Sequence, residues 1–329
     1  PHPPNASRPS LKMSTHQDRL ELEGLAFSDK YPKLRELLRE MQGNFWMPED
    51  VSAEMTNEDK RRFGALEKGV KRALTIVLYW FAFADQLVGD SCGELGVGMK
   101  DTCIQAAYAF IEAMEKSVHA PVYASLLKFY VDPEGEGKGA KEAMQELVRP
   151  KIEAVQELLE GAPPARRLFV QAAVESILFQ LSFRFIVVVH RAGGPHALAD
   201  ANNLIARDEG DHVKWAAAVS QELGLRVSKE EGWAIVERLV GEEKAFIKAL
   251  LGPEGVVGFH GRDLEKYAEF IGDYVLRLFG IEERWGVENP YPDQVSTAVR
   301  RLGDQFSRSP TTYTIHPAEE VADDAFETE

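Results

Sequence analysis

Apolar segments of this chain carry carboxylates at positions where a buried helix face should be uncharged. The acids and their settings are Asp85 after IVLYWFAFA, Glu175 between QAAV and SILF, Glu209 after NNLIARD, and Glu112 and Glu115 within AAYAFIEAMEKSVHAPVY. A buried carboxylate without a partner costs several kcal/mol, or takes up a proton and becomes neutral. Several acids on several apolar segments therefore predict a shared cation in the core.

The spacing of apolar residues between short Gly/Pro breaks predicts an all-α, ferritin-like helical bundle with additional helices. Alternating strand patterns are lacking, and no internal repeat is present. The predicted helices cover residues 31–41, 54–91, 101–130, 140–160, 164–191, 195–222, 228–250 and 262–285, with a short one at 294–306. Polar, aperiodic ends predict a flexible arm over residues 1–24 and a flexible tail over 306–329, on either side of a helical domain at 25–305.

Composition excludes several classes of function. A net charge of −15 disfavours contact with phosphate backbones, so we expect no nucleic-acid partner. The cysteines, Cys92 and Cys103, show neither a CxxC nor a zinc spacing, which fits a reducing, cytoplasmic compartment. The longest wholly apolar run, Ile76 to Ala84, is too short to span a bilayer, and the first residues lack a signal core, so no membrane association is expected.

One short motif gives the buried acids a chemistry. Glu209-x-x-His212 places a carboxylate and an imidazole on the same helix face, because residues three apart are neighbours on a helix. Asp85 and Glu175 supply acids from two other helices, and His119 supplies an imidazole from a fourth. Carboxylate-rich four-helix sites of this kind bind paired iron or manganese.

At this point the chain resembles a known family, the radical-bearing small subunits of class I ribonucleotide reductase. The similar stretches, in the family's order, are NFWMPEDV (44–51), FAFADQLV (81–88), AYAFIEAME…H…Y (107–123), VESILFQLSF (174–183), NLIARDEGDH (203–212), ENPYP (288–292) and the acidic end DDAFETE. The resemblance implies a dinuclear iron or manganese centre that oxidises a nearby tyrosine to a radical. The implied metal ligands are Asp85, Glu115, His119, Glu175, Glu209 and His212.

The resemblance also implies residues for the radical and its transfer. Tyr123 matches the radical tyrosine, and Phe179, Phe183 and Ile205 match the apolar pocket that keeps such a radical from water. Trp46 and Asp208 match a hydrogen-bonded transfer path that includes a ligand histidine. The tail tyrosine, Tyr313, is the candidate for the last transfer step, and Phe326 for the anchor by which the tail docks to the catalytic large subunit. A homodimer and a flavoprotein activase are further partners that the family suggests.

The second helix departs from the family pattern of Glu-x-x-His. His119 has Lys116 three residues before it and Glu115 four residues before it. If Lys116 faces the cluster, its ammonium replaces a ligand carboxylate and weakens at least one metal site. If Glu115 faces the cluster, four carboxylates balance two divalent cations, but the extra residue needs a π-bulge. We favour Lys116 facing inward, because that arrangement needs no insertion in the helix.

The two registers leave several functions open. The resemblance implies first a ribonucleotide reductase small subunit that generates and stores a radical at Tyr123 and passes it to the large subunit, for reduction of ribonucleoside diphosphates or triphosphates. With Lys116 inward, a metal-poor or metal-free variant with a modified tyrosine, or a non-catalytic partner subunit, becomes plausible. A ferritin-like oxidase is a third alternative, which the long tail argues against.

Overall fold

The computed structural model describes residues 31–132, 136–252 and 261–291, and within those ranges the chain is helical with no strand. The all-α prediction is therefore confirmed. The helices are α1 (Pro32–Gly43), α2 (Pro48–Ser52), α3 (Asn57–Ala65), α4 (Lys68–Gly98), α5 (Thr102–Met114), α6 (Ala120–Tyr130), α7 (Glu136–Leu159), α8 (Pro164–Ala173), α9 (Phe179–Arg191), α10 (His196–Glu222), α11 (Lys229–Leu251) and α12 (Gly261–Leu278). Two π-helical turns, π1 (Glu115–His119) and π2 (Val174–Leu178), join α5 to α6 and α8 to α9.

Polar caps and chain breaks set these boundaries. Thr56 accepts a hydrogen bond from the backbone N–H of Asp59 and starts α3, and Ser228 starts α11 by accepting one from Glu231. The predicted single helix 54–91 was wrong, because extended backbone at Leu66 separates α3 from α4, which then continues to Gly98. The predicted 262–285 helix ends at Leu278, and the predicted segment 294–306 lies outside the described residues.

The core lies among four long helical segments. Helix α4 packs against α5, π1 and α6, while α10 packs against α8, π2 and α9. Each segment turns apolar side chains inward, and the buried acids predicted from sequence lie on these same segments. The bundle therefore brings the predicted ligand positions from separate parts of the chain to one place.

One helical stretch in the described ranges, Pro164–Arg191, is long and apolar enough to span a membrane by length and composition. The sequence test for wholly apolar runs missed it, because polar residues interrupt the stretch. The stretch is apolar because it is buried inside the bundle, since 83% of its most apolar part is covered by other parts of the protein. This stretch packs against α10 and α11 as a core helix.

Candidate metal centre

The turn π1 decides which residue of the second helix faces the core. It widens the helix by one residue, so that Glu115 and His119 both face the core. Both side chains are fully buried, and His119 Nδ1 lies 3.3 Å from Glu115 Oε2. The bulge therefore accommodates the extra residue between the carboxylate and the imidazole.

Lys116 points away from the core, and the sequence-based preference for it as an inward residue was wrong. Its ammonium lies 2.6 Å from Asp90 and 2.7 Å from Glu112, in an ion-paired cluster with an exposed Lys116 side chain. Gly89 on α4 allows this course, because a Cβ there would come within 2.9 Å of Lys116 Cγ. The bulge that the sequence argument counted against Glu115 is present, and it turns the lysine outward.

A second π turn holds Glu175. Residues Val174–Leu178 form π2, so another predicted ligand also lies where the helix departs from α-geometry. Gln171, one turn earlier, donates through Nε2 to Glu175 Oε1 at 3.2 Å and also lies 3.0 Å from Cys92 Sγ. π-Bulges are frequent at functional sites because they redirect a side chain without ending the helix.

The predicted ligands converge on one buried cluster. His212 Nδ1 lies 3.0 Å from Glu115 Oε1, and His119 Nδ1 lies 3.1 Å from Glu209 Oε1. Ligand atoms lie within 4.8 Å of one another in two groups that share Glu115, the first Glu115, Glu175, Glu209 and His212, the second Asp85, Glu115 and His119. Two groups joined by one carboxylate have the arrangement of a pair of metal sites with a bridging ligand.

Unsatisfied oxygens show that the cluster fits a cation. Among the described residues, no hydrogen-bond donor reaches either carboxylate oxygen of Asp85 or Oε2 of Glu175. Buried polar atoms in native proteins are nearly always satisfied, so a group of orphaned carboxylate oxygens needs a positive partner. Oxygen and imidazole ligands in this number suit iron or manganese better than a thiolate-seeking metal.

Burial and the crowding of charges shift the pKa values of the predicted ligands. Burial raises the pKa of Asp85 well above its ordinary value, and the charges of Glu115 and Glu209 raise it further. Burial alone would lower the pKa of His119 and of His212, but the surrounding carboxylates outweigh it and raise both well above the ordinary value. Raised pKa values mean that these groups hold protons more tightly than usual, so metal ions would compete with protons for them.

Tyr123 lies in a dry aromatic cage next to the cluster. Its side chain is fully buried, and within the described ranges its hydroxyl has no hydrogen-bond partner. Burial raises the pKa of Tyr123 well above its ordinary value, with further contributions from Asp85, Glu209 and Glu115. Phe81 stacks on the tyrosine ring at 4.8 Å between centroids, and Phe183 stacks on Phe81 at 4.7 Å.

Two of the three apolar residues that the sequence assigned to the cage, Phe179 and Phe183, pack against Phe81, and the assignment of Ile205 stays a prediction. Phe179, Phe183 and Ile205 are fully buried, and Phe179 meets Phe81 edge-on at 5.5 Å. Phe81 itself was missed by the sequence argument. Its position four residues before Asp85 places it on the same face of α4, and that spacing could have identified it.

Trp46, Asp208 and His119 form a connected chain that leaves the cluster. The indole Nε1 of Trp46 donates to Asp208 Oδ2 at 2.7 Å, and His119 Nε2 lies 3.2 Å from the same oxygen. Burial alone would raise the pKa of Asp208, but the hydrogen bond from His119, Arg207 and Trp46 outweigh it and lower the pKa. A carboxylate kept ionised in this way orients both the imidazole and the indole.

Comparison with known proteins identifies the family. The ribonucleotide reductase small-chain family matches residues 26–290 of this chain. The chain belongs to this family. It is a small subunit of ribonucleotide reductase, an oxidoreductase subunit, as the match and its curated relatives show. A ribonucleoside-diphosphate reductase small chain of Nicotiana tabacum is 29% identical over 270 residues, 80% of each chain, and that of vaccinia virus (strain Copenhagen) is 27% identical over 269 residues, 80% of this chain and 83% of the other.

Solved structures show that the fold is that of other reductase small subunits. The Rnr4 homodimer of Saccharomyces cerevisiae superposes with a TM-score of 0.74 at 22% identity, over 81% of this chain and 84% of that one. The dimanganese(II)-NrdF of Streptococcus sanguinis superposes with a TM-score of 0.70 at 17% identity, over 84% and 96% of the two chains. The ferritin-like prediction is therefore confirmed for this small subunit.

Several features of the small subunit lie beyond the sequence argument or outside the described residues. Gln171 and Arg207 hold Glu175 and Asp208 in place, and the sequence argument named neither. Gln171 precedes Glu175 by one helical turn, a spacing that could have found it. The arm at 1–24, Tyr313 and Phe326 lie outside the described residues, so their assignments stay predictions.

Proposed function

We propose that this small subunit generates and stores a radical at Tyr123 and passes it to a catalytic large subunit for reduction of ribonucleoside diphosphates. The observation that carries the proposal is the fully buried Tyr123 hydroxyl beside a carboxylate–histidine cluster with orphaned oxygens. The diphosphate level follows the names of the curated relatives from tobacco and vaccinia virus. A cytoplasmic location fits an enzyme that supplies deoxyribonucleotides.

The cluster would hold a pair of iron or manganese ions. Asp85 and His119 would serve one ion, Glu175 and His212 the other, with Glu115 and Glu209 available to both. The bound metals supply the one-electron oxidising equivalent from oxygen chemistry that a tyrosine side chain cannot generate by itself. Iron and manganese accept the same ligands, so the choice between them rests on geometry and supply.

The residues around Tyr123 would protect the radical. Phe81 stacks on the Tyr123 ring, and Phe179 and Phe183 pack on Phe81, so these rings would shield the radical, with Ile205 as a further predicted wall of the pocket. The tyrosine gives up its hydroxyl proton when it is oxidised, and a carboxylate of the adjoining cluster, whose charges act on Tyr123, would accept that proton. Water exclusion lengthens the lifetime of the radical, because quenching requires a nearby reductant and a proton.

The chain of Trp46, Asp208 and His119 would carry the electron between the cluster and the large subunit. The aligned indole and imidazole rings, 6.0 Å between centroids and 18° between planes, support such a path. Tyr313 would continue it, and the tail at 306–329 with Phe326 would dock to the large subunit. A homodimer is consistent with the yeast relative described as a homodimer, and a flavoprotein activase remains a partner that the family suggests.

Electron paramagnetic resonance tests this proposal directly. Full-length protein loaded with iron, or with manganese and an activase, should give a tyrosyl signal that the Tyr123→Phe variant lacks. The control is a metal count, which should be equal in both proteins, because Tyr123 is not a ligand. Absence of a tyrosyl signal under every metal and reductant condition would refute the radical function.

The metal-poor and non-catalytic alternatives lose the observation that favoured them. They depended on Lys116 facing the cluster, and the lysine instead pairs with Asp90 and Glu112. Glu115→Ala should lower the metal count, whereas Lys116→Met should leave it unchanged. The reverse pattern would restore the metal-poor reading.

A further inference from the structure

A buried lysine lies over a tryptophan close to the aromatic cage of Tyr123. Lys151 Nζ is 4.8 Å from the centroid of the Trp80 ring and 3.5 Å from that of Phe246. Lys151 is 1% exposed, so its charge acts at short range without water between it and the rings. Its partner is Glu243, at 2.5 Å, which is also fully buried.

Trp80 connects with the cage through aromatic contacts. It meets Phe179 edge-on at 6.0 Å, Phe179 meets Phe81 at 5.5 Å, and Phe81 stacks on Tyr123 at 4.8 Å. Tryptophan and tyrosine are the side chains most readily oxidised by one electron. Trp80 is therefore the nearest competing electron donor that these ring contacts link to the proposed radical.

The environment of Trp80 opposes its oxidation in two ways. A cation over the ring face stabilises the neutral indole, and it would repel an indole radical cation. The indole Nε1 also lacks a hydrogen-bond acceptor among the residues that the structure describes, so no base is placed to take its proton. A cation near the ring and the lack of a base each raise the potential needed to remove an electron.

A cavity next to Trp80 would expose a radical on this residue to small reductants. About 370 Å³ of space lies beside Trp80, Lys151 and Phe179, and exposed Glu94 and Glu160 also line it. A radical on Trp80 would thus lie on the wall of a cavity that extends to the surface, where small reductants could reach it. Tyr123, in contrast, is fully buried and does not line this cavity.

We infer that Lys151 is a protective residue that keeps the radical on Tyr123 by making Trp80 hard to oxidise. The loss it prevents is a one-electron exchange, in which Trp80 gives an electron to the Tyr123 radical and becomes a radical cation. The tyrosine oxygen takes that electron together with the proton that it had released to the adjoining cluster, and returns to the hydroxyl form. The inference rests on the proposed radical function, and Lys151 contacts neither the substrate nor a metal ligand.

The main test replaces the buried ion pair by neutral side chains of similar size. Lys151→Met with Glu243→Gln removes the cation without leaving a buried carboxylate alone. In metal-loaded full-length protein we expect the Tyr123 signal to decay about tenfold faster, equivalent to about 1.4 kcal/mol in the barrier. A tryptophanyl signal should appear in the double variant and disappear when Trp80→Phe is added.

A second measurement does not depend on the metal centre. Light absorbed by tryptophan ejects an electron from the indole, and peptide mass spectrometry then reports the oxidised fraction at each tryptophan. We expect oxidation at Trp80 to rise in the double variant relative to Trp215, which is also buried and has no cation over its ring within the described residues. Failure of the wild type to form any Tyr123 radical would refute the proposed function, whereas equal Trp80 oxidation in wild type and double variant would refute the role of Lys151.

A charge-retaining variant separates electrostatics from packing. Lys151→Arg keeps a cation that stays protonated, and the adjoining cavity leaves space for the larger head group. It should protect Trp80 as the wild type does, with unfolding temperatures recorded for every variant. An arginine variant that oxidises Trp80 as readily as the methionine double variant would overturn the inference.

Discussion

Two buried tryptophans near the cluster have polar neighbours of opposite charge. Trp46 donates its indole N–H to the ionised carboxylate of Asp208, whereas Trp80 lies under the ammonium of Lys151 and its N–H has no acceptor within the described residues. A negative neighbour that can also take a proton favours oxidation of an indole, and a positive neighbour opposes it. Because their burial is nearly equal, 4% and 3% exposed, the two tryptophans differ mainly in the charge beside the ring and in the acceptor for the indole N–H.

The comparison teaches that the surroundings of a redox residue can set its role more than its identity does. Both tryptophans pack close to groups of the proposed radical centre, Trp46 against His119 and Trp80 against Phe179. Only the first belongs to a hydrogen-bonded chain that ends at a predicted metal ligand. The same side chain would therefore conduct in one place and be kept inert in the other.

The largest expected effect comes from removing each indole in turn. Trp46→Phe should abolish nucleotide reduction while the Tyr123 signal persists, because phenylalanine can neither donate to Asp208 nor be oxidised in its place. Trp80→Phe should leave reduction close to the wild-type rate, because Trp80 lies off the path. Reductase assays with the large subunit, paired with paramagnetic resonance, measure both. Equal losses of activity in the two variants would break the comparison.

The next effect tests the carboxylate next to Trp46. Asp208→Asn keeps the shape and most hydrogen bonds but removes the negative charge that both Trp46 and His119 face. Changes of this kind beside a ligand histidine typically cost 10–100-fold, so we expect reductase activity to fall about 10–100-fold. Metal content and radical yield are measured in the same samples. Lower values would mean that the metal centre is damaged, and wild-type values would mean that electron transfer through Trp46 is impaired. Unchanged activity would show that the charge on Asp208 does not distinguish Trp46 from Trp80.

Much of the fold could be predicted from the sequence, and the failures have local causes. The periodic runs at 164–191, 195–222 and 228–250 predicted their helices to within a few residues. The break between α3 and α4 carries no Pro, and its only mark is the Leu66–Glu67 junction with extended backbone. A boundary set by backbone conformation at ordinary residues leaves little trace in composition.

The candidate site was predicted in its members but not in its helix geometry. Buried acids on apolar helices identified Asp85, Glu175 and Glu209, because charge in a core needs a partner wherever it lies. The choice between Glu115 and Lys116 depended on whether the helix contained a π turn, and α-helical spacing alone favoured the wrong residue. The space above Gly89 and the acids Asp90 and Glu112, which draw the lysine outward, are tertiary features.

A moderate effect on stability should reveal the buried pair beside Trp80. Burial raises the pKa of Glu243 from its ordinary 4.5 to about 7, although Lys151 opposes this. Because the pKa is raised in the folded state, its contribution to stability is present below about pH 4.5 and is lost as the pH rises through about 7. Relative to the Lys151→Met, Glu243→Gln double variant, wild-type unfolding free energy should fall by about 3 kcal/mol across that window.

Urea unfolding at several pH values measures that difference, and the titrating cluster cancels because both proteins contain it. The expected result is that the buried Lys151–Glu243 pair lowers the unfolding free energy more and more as the pH rises towards neutral. A pair that only stabilised the fold would not be retained at such a cost in stability. A difference that stays constant with pH would mean that Glu243 does not change its protonation on folding. That result would weaken the view of a charged pair held near Trp80.

The smallest expected effect comes from the other lysine near the centre, which is the matched control for Lys151. Lys116→Met removes a cation from the exposed cluster with Asp90 and Glu112, where water screens charges and ion pairs contribute little. Trp80 oxidation, the lifetime of the Tyr123 signal and the metal count should all stay at wild-type values. A shortened radical lifetime in Lys116→Met would mean that any nearby cation protects the radical, and the particular placement of Lys151 over Trp80 would lose its meaning.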